Sequence, residues 1–351
     1  MSASRPIEPT NPDAGAVATP GRRWGRRVPQ LVGFLAGLGL LGWCVTIALS
    51  PDNRAQLDRL KHATVAQIAA LLGLSFASLM ISGVVFHLTV RPVHRLRLGD
   101  VCATNAVAAF LGYLPLKLGL LLRIAVHVRR DRMSLLEVGG WFGAVTVPIL
   151  MTAGCLAGAT LVTREVDLRW YLLAGGGLIA GSTAVVLVAR LVGGESGRAR
   201  MRRLAAGMHQ HWLDRFIAGE RYAKLDTGTV MLGNPRVVGW AVALRVLDFF
   251  LQAQRFVIAA GIIGLSLPSA HAFVVASSAF LIGIASPGGP VGAREAGVVG
   301  VLKLLGVADP KSYVIVPLLV TATEAVAFLV AAVGGIAWLR PGRLFVPRDA
   351  R

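Results

Sequence analysis

Ser286-Pro287-Gly288-Gly289-Pro290-Val291-Gly292 interrupts an apolar run that extends from Ala270 to Leu305. That run is too long for one crossing of a ~30 Å hydrocarbon core, and its middle holds the residues least able to continue a helix. A second interruption, Leu114-Pro115-Leu116-Lys117-Leu118-Gly119, breaks the run Val101–Leu122. Both breaks have a proline, a glycine four or five residues later, and an arginine seven or eight residues after the proline: Pro115, Gly119, Arg123 and Pro287, Gly292, Arg294. The fold turns on whether these two runs cross the bilayer or dip into it and return.

Six further apolar runs surround them: Leu31–Ser50, Thr64–Val90, Ser134–Val162, Tyr171–Val192, Val237–Leu267 and Tyr313–Leu339. Of the 351 residues 55% are apolar and only 15% charged, and the mean hydropathy is +0.65. These values exclude a soluble enzyme and a disordered scaffold, and they give an all-α polytopic membrane protein. The chain has no phosphate-loop motif. Cys44, Cys102 and Cys155 form no C-x-x-C pair, so neither a disulfide framework nor a metal site follows from them, and no cofactor is expected. Leu31–Ser50 could pass for a signal-peptide core, but Pro51 is a poor residue after a cut; it reads as an uncleaved first span.

The positive charges decide between crossing and dipping. If all eight runs crossed once, the Arg129-Arg130-Arg132 loop would lie opposite the Arg91/Arg95/Arg97 loop. If both interrupted runs return to the side they entered, twenty-four Lys and Arg fall on one side and six on the other. Basic loops stay in the cytoplasm, so the second arrangement is favoured. It has six full spans and two re-entrant helical hairpins facing opposite ways, with halves at about 31–165 and 170–340. Each half then reads span, span, hairpin, span, an inverted repeat of the kind that sets transporter sites at mid-depth. Both termini are placed in the cytoplasm and the chain in the inner membrane of a bacterium.

Ionisable side chains at mid-bilayer cost at least ~2.5–3.5 kcal/mol each, so they face a cavity or a partner. Those inside the runs are Lys117, Arg245, Asp248, Arg255, Arg294, Glu295 and Glu324, with Arg123 at the end of the first hairpin. Arg245, Asp248, Gln252 and Arg255 recur at intervals of three and four, which sets them on one helical face. The plain alternative is an Arg245–Asp248 bridge that merely locks helices. Glu324 either pairs with an arginine or carries a proton, and Asn105 is expected to hydrogen-bond between helices. The deep charges have a positive surplus, which calls for an anion or a wet vestibule, and arginine suits phosphate. The glycines at 288, 289 and 292 would bring backbone N–H groups and a helix N-terminus close to it.

Residues 1–30 read as a disordered basic tail and 341–351 as a second tail. Between about 197 and 223, Met201, Leu204, Ala205, Met208, Trp212 and Phe216 keep helical spacing, as an amphipathic helix on anionic lipid would. The net charge of +18 thus lies mainly in loops and tails beside the membrane, and no nucleic acid is expected.

Pro287-Gly288-Gly289-Pro290-Val291-Gly292-Ala293-Arg294-Glu295-Ala296 also resembles the PGG-x-G-x-R-E signature of the flippase-like membrane family. That family includes the transmembrane region of lysylphosphatidylglycerol synthase, and Pro115, Gly119 and Arg123 are similar to its proline–glycine–arginine pattern. The resemblance implies a carrier or flippase for an anionic lipid, such as a phospholipid, a polyprenyl-phosphate carrier or a hopanoid-type lipid. The synthase proper adds a soluble aminoacyl-transferase domain, which is not found in this chain, so that activity is not expected. Alternatives are an intramembrane lipid-modifying transferase with a carboxylate base, or a non-catalytic partner of an envelope-lipid biosynthesis enzyme.

Overall fold

The structure, a computed structural model, describes residues 27–114, 117–207, 217, 219–286, 289–307 and 309–340. Residues 1–26, the second tail, and Met208, Trp212 and Phe216 of the amphipathic segment lie outside these, as do Pro115, Pro287 and Gly288. Among the described residues every regular element is helical. Six helices are long and apolar enough to cross a membrane. They are α1 (Arg27–Ala48), α3 (Val65–Val90), α6 (Leu135–Thr163), α7 (Leu168–Val192), α11 (Pro235–Ile262) and α14 (Ile315–Leu339), the last prolonged by the Pro310–Val314 turn. Shorter helices fill the rest: α2 (Arg54–Leu60), α4 (Leu98–Leu111), α5 (Leu118–Arg129), α8 (Gly194–Gly207), α9 (Glu220–Leu225), α10 (Thr227–Leu232), α12 (Ser269–Ala285) and α13 (Ala293–Leu304).

Local sequence sets where these helices start. Thr64 accepts from the Gln67 N–H and Ser134 from the Glu137 N–H, each with the reciprocal side-chain bond of a capping box. The Asp167 carboxylate caps α7 at the Trp170 N–H, 2.8 Å away, and Asn234 caps α11, which begins with proline. Helix α1 starts at Arg27, so its first turn uses residues assigned to the tail on composition.

The two interrupted runs fold as helix pairs. In the first, Arg130 pairs with Asp100 at 2.9 Å and Arg123 with Asn105 at 2.6 Å. A Cβ on Gly119 would lie 2.0 Å from the Ala108 carbonyl. Falling numbers on α4 against rising ones on α5 describe an antiparallel hairpin that ends beside its own start. In the second, Gly297 packs on Ile282 and Gly283 on Pro290. The Tyr313 hydroxyl, just after α13, donates to the Ser266 carbonyl, just before α12, at 2.8 Å.

The hairpins leave from opposite ends of the bundle. Near Ser266 lie the Arg59 guanidinium, 3.2 Å from the Gly264 carbonyl, and Leu57, Leu60, Val166 and Leu265, which cover one core cluster. At the other end Trp338 donates to Asp100 at 3.1 Å, and Val93, Leu96, Met133 and Met231 share a second cluster. Arg130 and Lys311 therefore stand at opposite ends. Helix pairings recur between halves: α3 meets α4 as α11 meets α12, and α4 packs on α14 as α12 packs on α6. The order long helix, long helix, helix pair, long helix thus recurs in the second half.

The hairpin tips meet. A Cβ on Gly289 would lie 3.7 Å from the Gly112 carbonyl and 4.0 Å from that of Leu114. On its outer side the second tip packs against α1, where a Cβ on Gly292 would fall 1.7 Å from the Gly37 carbonyl oxygen. Gly292 has φ +78° and Gly289 φ +117°, conformations that side chains resist. Lys117 takes a left-handed φ of 52° to start α5.

Candidate functional site

Where the tips meet, a cavity of about 590 Å³ opens among α3, both hairpins, α6, α11 and α14, within the range usual for small-ligand sites. Lys117, Arg123, Arg245, Asp248, Gln252, Arg255, Arg294 and Glu324 all line it, as do Gly119 and Gly289. The stripe on α11 thus does face inward. Glu295 differs: it is fully buried beneath the second tip. Its carboxylate accepts the Gly292 N–H at 2.6 Å and the Thr321 hydroxyl, so it shapes the tip without reaching the cavity. Two N–H groups expected to face an anion are also taken internally, that of Gly292 by Glu295 and that of Arg294 by the Pro290 carbonyl.

The charges fall into three groups. Arg245 and Asp248, 1% and 2% exposed, form the expected bridge at 3.0 Å, and Asp248 also accepts the Ser78 hydroxyl of α3. Glu324 pairs with two arginines: Arg255 donates to one carboxylate oxygen at 2.6 Å and Arg294 to the other at 3.0 Å. The Tyr113 hydroxyl, from the first tip, donates to the same oxygen as Arg294 at 2.7 Å. Arg294 also reaches the Thr321 hydroxyl at 2.7 Å, and Arg255 the Val320 carbonyl at 3.1 Å.

Arg123 makes the third group. Among the described residues no carboxylate lies within ion-pair distance of it; it donates to the neutral Asn105 amide oxygen and lies 4.6 Å above the Phe86 ring. Asn105 also donates to the Leu79 carbonyl at 3.1 Å, which is its expected helix-joining role. Arg123 does not end the first hairpin, as its place in the run suggested, nor belong to the loop that follows. It sits inside α5, which continues to Arg129. Five cations and two carboxylates face the cavity, with the Glu295 carboxylate behind them. A positive surplus of at least two is thus held in a low-dielectric setting, where it favours an anion.

Other lining residues carried no such signal. Ser78, Ser82 and Phe86 recur every four residues on α3 and all face the cavity; that spacing was readable, but uncharged residues in an apolar helix do not stand out. Tyr113, beside the first break, was the other miss. The wall formed by α6 and α12 is apolar, with Phe142, Val145, Ile149, Ala279 and Phe280.

The family model for the lysylphosphatidylglycerol synthase TM region matches residues 30–335. The chain belongs to this family. No curated protein and no solved structure matches it. Membership and the six apolar helices make it a multi-pass membrane protein related to lipid metabolism or transport.

Proposed function

We propose that the protein carries a lipid with a negatively charged, phosphate-bearing headgroup across the cytoplasmic membrane. The headgroup, of a phospholipid or a polyprenyl-phosphate-type carrier, enters the cavity, and its chains stay in the bilayer. The observation that carries this reading is the positive surplus at the junction of the two hairpin tips. A charge held there has no low-energy alternative to a partner, and arginine's planar donors match phosphate oxygens. Hairpins dipping from opposite faces would let rocking of the halves open the cavity to either side in turn. Positive-inside bias assigns the end holding Arg129 and Arg130 to the cytoplasm.

Transport fits better than catalysis. Asp248 and Glu324 are ion-paired and Glu295 is sealed beneath the tip, so none of these three carboxylates is free to act as a base. The test is reconstitution into phosphatidylcholine liposomes carrying headgroup-labelled phosphatidylglycerol, with a membrane-impermeant quencher added outside. Quenching should pass the outer-leaflet half in proteoliposomes only, and labelled neutral glycolipid should stay at half. Equal movement of both labels would overturn the anionic-lipid reading.

A further inference from the structure

Among the described residues, Glu324 is a carboxylate that joins three separate parts of the site. It takes Arg294 from the second hairpin, Arg255 from α11 and the Tyr113 hydroxyl from the first hairpin, all on a side chain of α14. It does so at the cavity wall, where the substrate's anion would also need Arg255 and Arg294. We infer that Glu324 is a resident stand-in for that anion, holding the hairpin tips together until a headgroup displaces it. The inference rests on the proposed reading of the cavity as a lipid-headgroup site and adds the chemistry of the exchange.

That chemistry is a one-for-one swap. A phosphodiester has one negative charge and two non-bridging oxygens that accept several hydrogen bonds each. A carboxylate matches it in charge and in number of oxygens. Replacing Glu324 with a diester leaves the charge held at the two arginines unchanged, the freed carboxylate stays in the cavity beside its surplus cations, and the diester would also find the Arg255 Nε–H, which has no partner among the described residues. A monoester's second charge would fall on the positive surplus that remains in the cavity. Once Glu324 is displaced, the Tyr113 bond that ties the first tip to α14 is lost. Loading the second hairpin would thereby release the first, which is the coupling a carrier needs between binding and rocking.

An ion pair that only holds the fold predicts the opposite sign from a competitor. Removing a structural partner weakens the site; removing a competitor tightens it. The probe is fluorophore-labelled phosphatidylglycerol titrated into the full chain in neutral detergent, beside labelled phosphatidic acid and labelled diacylglycerol. Glu324→Gln keeps the shape and deletes the charge. It should bind phosphatidylglycerol at least about tenfold more tightly than wild type, as expected when a close competing charge is removed. Phosphatidic acid should show the same gain, since it would meet the same two arginines. Equal or weaker binding of both lipids by a well-folded Glu324→Gln protein would overturn the inference. Should that variant fail to fold, Tyr113→Phe decides: loosening the stand-in should tighten binding about two- to fivefold, and unchanged or weaker binding would count against it. Wild type binding phosphatidylglycerol no better than diacylglycerol would instead sink the headgroup site itself.

Discussion

The two hairpin tips share a proline–glycine–arginine pattern but spend it differently. At the second tip everything is tied down: Gly292 lies against α1, Glu295 caps the backbone, and Arg294 is bound to Glu324 and Thr321. At the first, Arg123 has a neutral amide and an aromatic face, and among the described residues Lys117 has no carboxylate within ion-pair distance. One tip is clamped and the other keeps unspent charge. Similar letters at two breaks therefore do not fix similar roles: Gly292 takes a positive φ and Gly119 does not, and the neighbours supplied by α3 and α14 decide what each arginine does.

The clamp gives the largest expected effect. Gly292→Ala puts a methyl group 1.7 Å from the Gly37 oxygen and forces a side chain into φ +78°. The contact involves backbone on both sides, so neither side chain can swing away. We expect a loss above about 3 kcal/mol, with little monodisperse protein recovered by size exclusion. Gly119→Ala, 2.0 Å from the Ala108 oxygen at an ordinary φ, should fold but melt lower. Gly139→Ala, with open space around its Cβ position, should not change the melting temperature by more than a degree or two.

Next come the arginines themselves. Arg123→Ala removes a cation whose polar partner among the described residues is an amide, so it should slow labelled-lipid movement by about a hundredfold and leave the melting temperature nearly unchanged. Arg294→Ala leaves Glu324 with Arg255 and the Tyr113 hydroxyl, and leaves Thr321 with Glu295. It should slow movement and also cost about 1–3 kcal/mol of stability. If both variants lose stability equally, the contrast between an open and a clamped tip is wrong. Thermal melting in detergent beside the liposome assay separates the two outcomes.

Most of this was legible because buried charge is costly and so announces itself. Residues as far apart in sequence as Lys117, Asp248 and Glu324 were selected for the same reason and converge on one cavity. What hydropathy hid was continuity. Helix α5 runs past Leu122 because Arg123 finds Asn105 and His127 finds Asp131 at 2.8 Å, so charges that lower local hydropathy do not end it. Partner choice was hidden too. Glu324 meets Arg255 across sixty-nine positions, and no local spacing rule reaches that far. Tyr113 and Phe86 cost nothing to bury and gave no warning.

Phe86 offers the finest test of the open tip. Its ring lies beneath the Arg123 guanidinium at 4.6 Å and stacks edge-on with Trp141 at 5.6 Å. A desolvated cation over an aromatic face gains about 1–2 kcal/mol, part of which holds the guanidinium in place before any ligand arrives. Phe86→Leu preserves most of the volume and removes the π face. Arg123 would then spread over several rotamers, and headgroup binding would include the cost of fixing one. Affinity for labelled phosphatidylglycerol should fall about three- to tenfold, with melting nearly unchanged. The same substitution on an Arg123→Ala background should change affinity by less than twofold, since there is no cation left to orient. A full effect on that background would mean the ring acts through packing against Trp141, and the open tip would owe its shape to α6 instead of to α3.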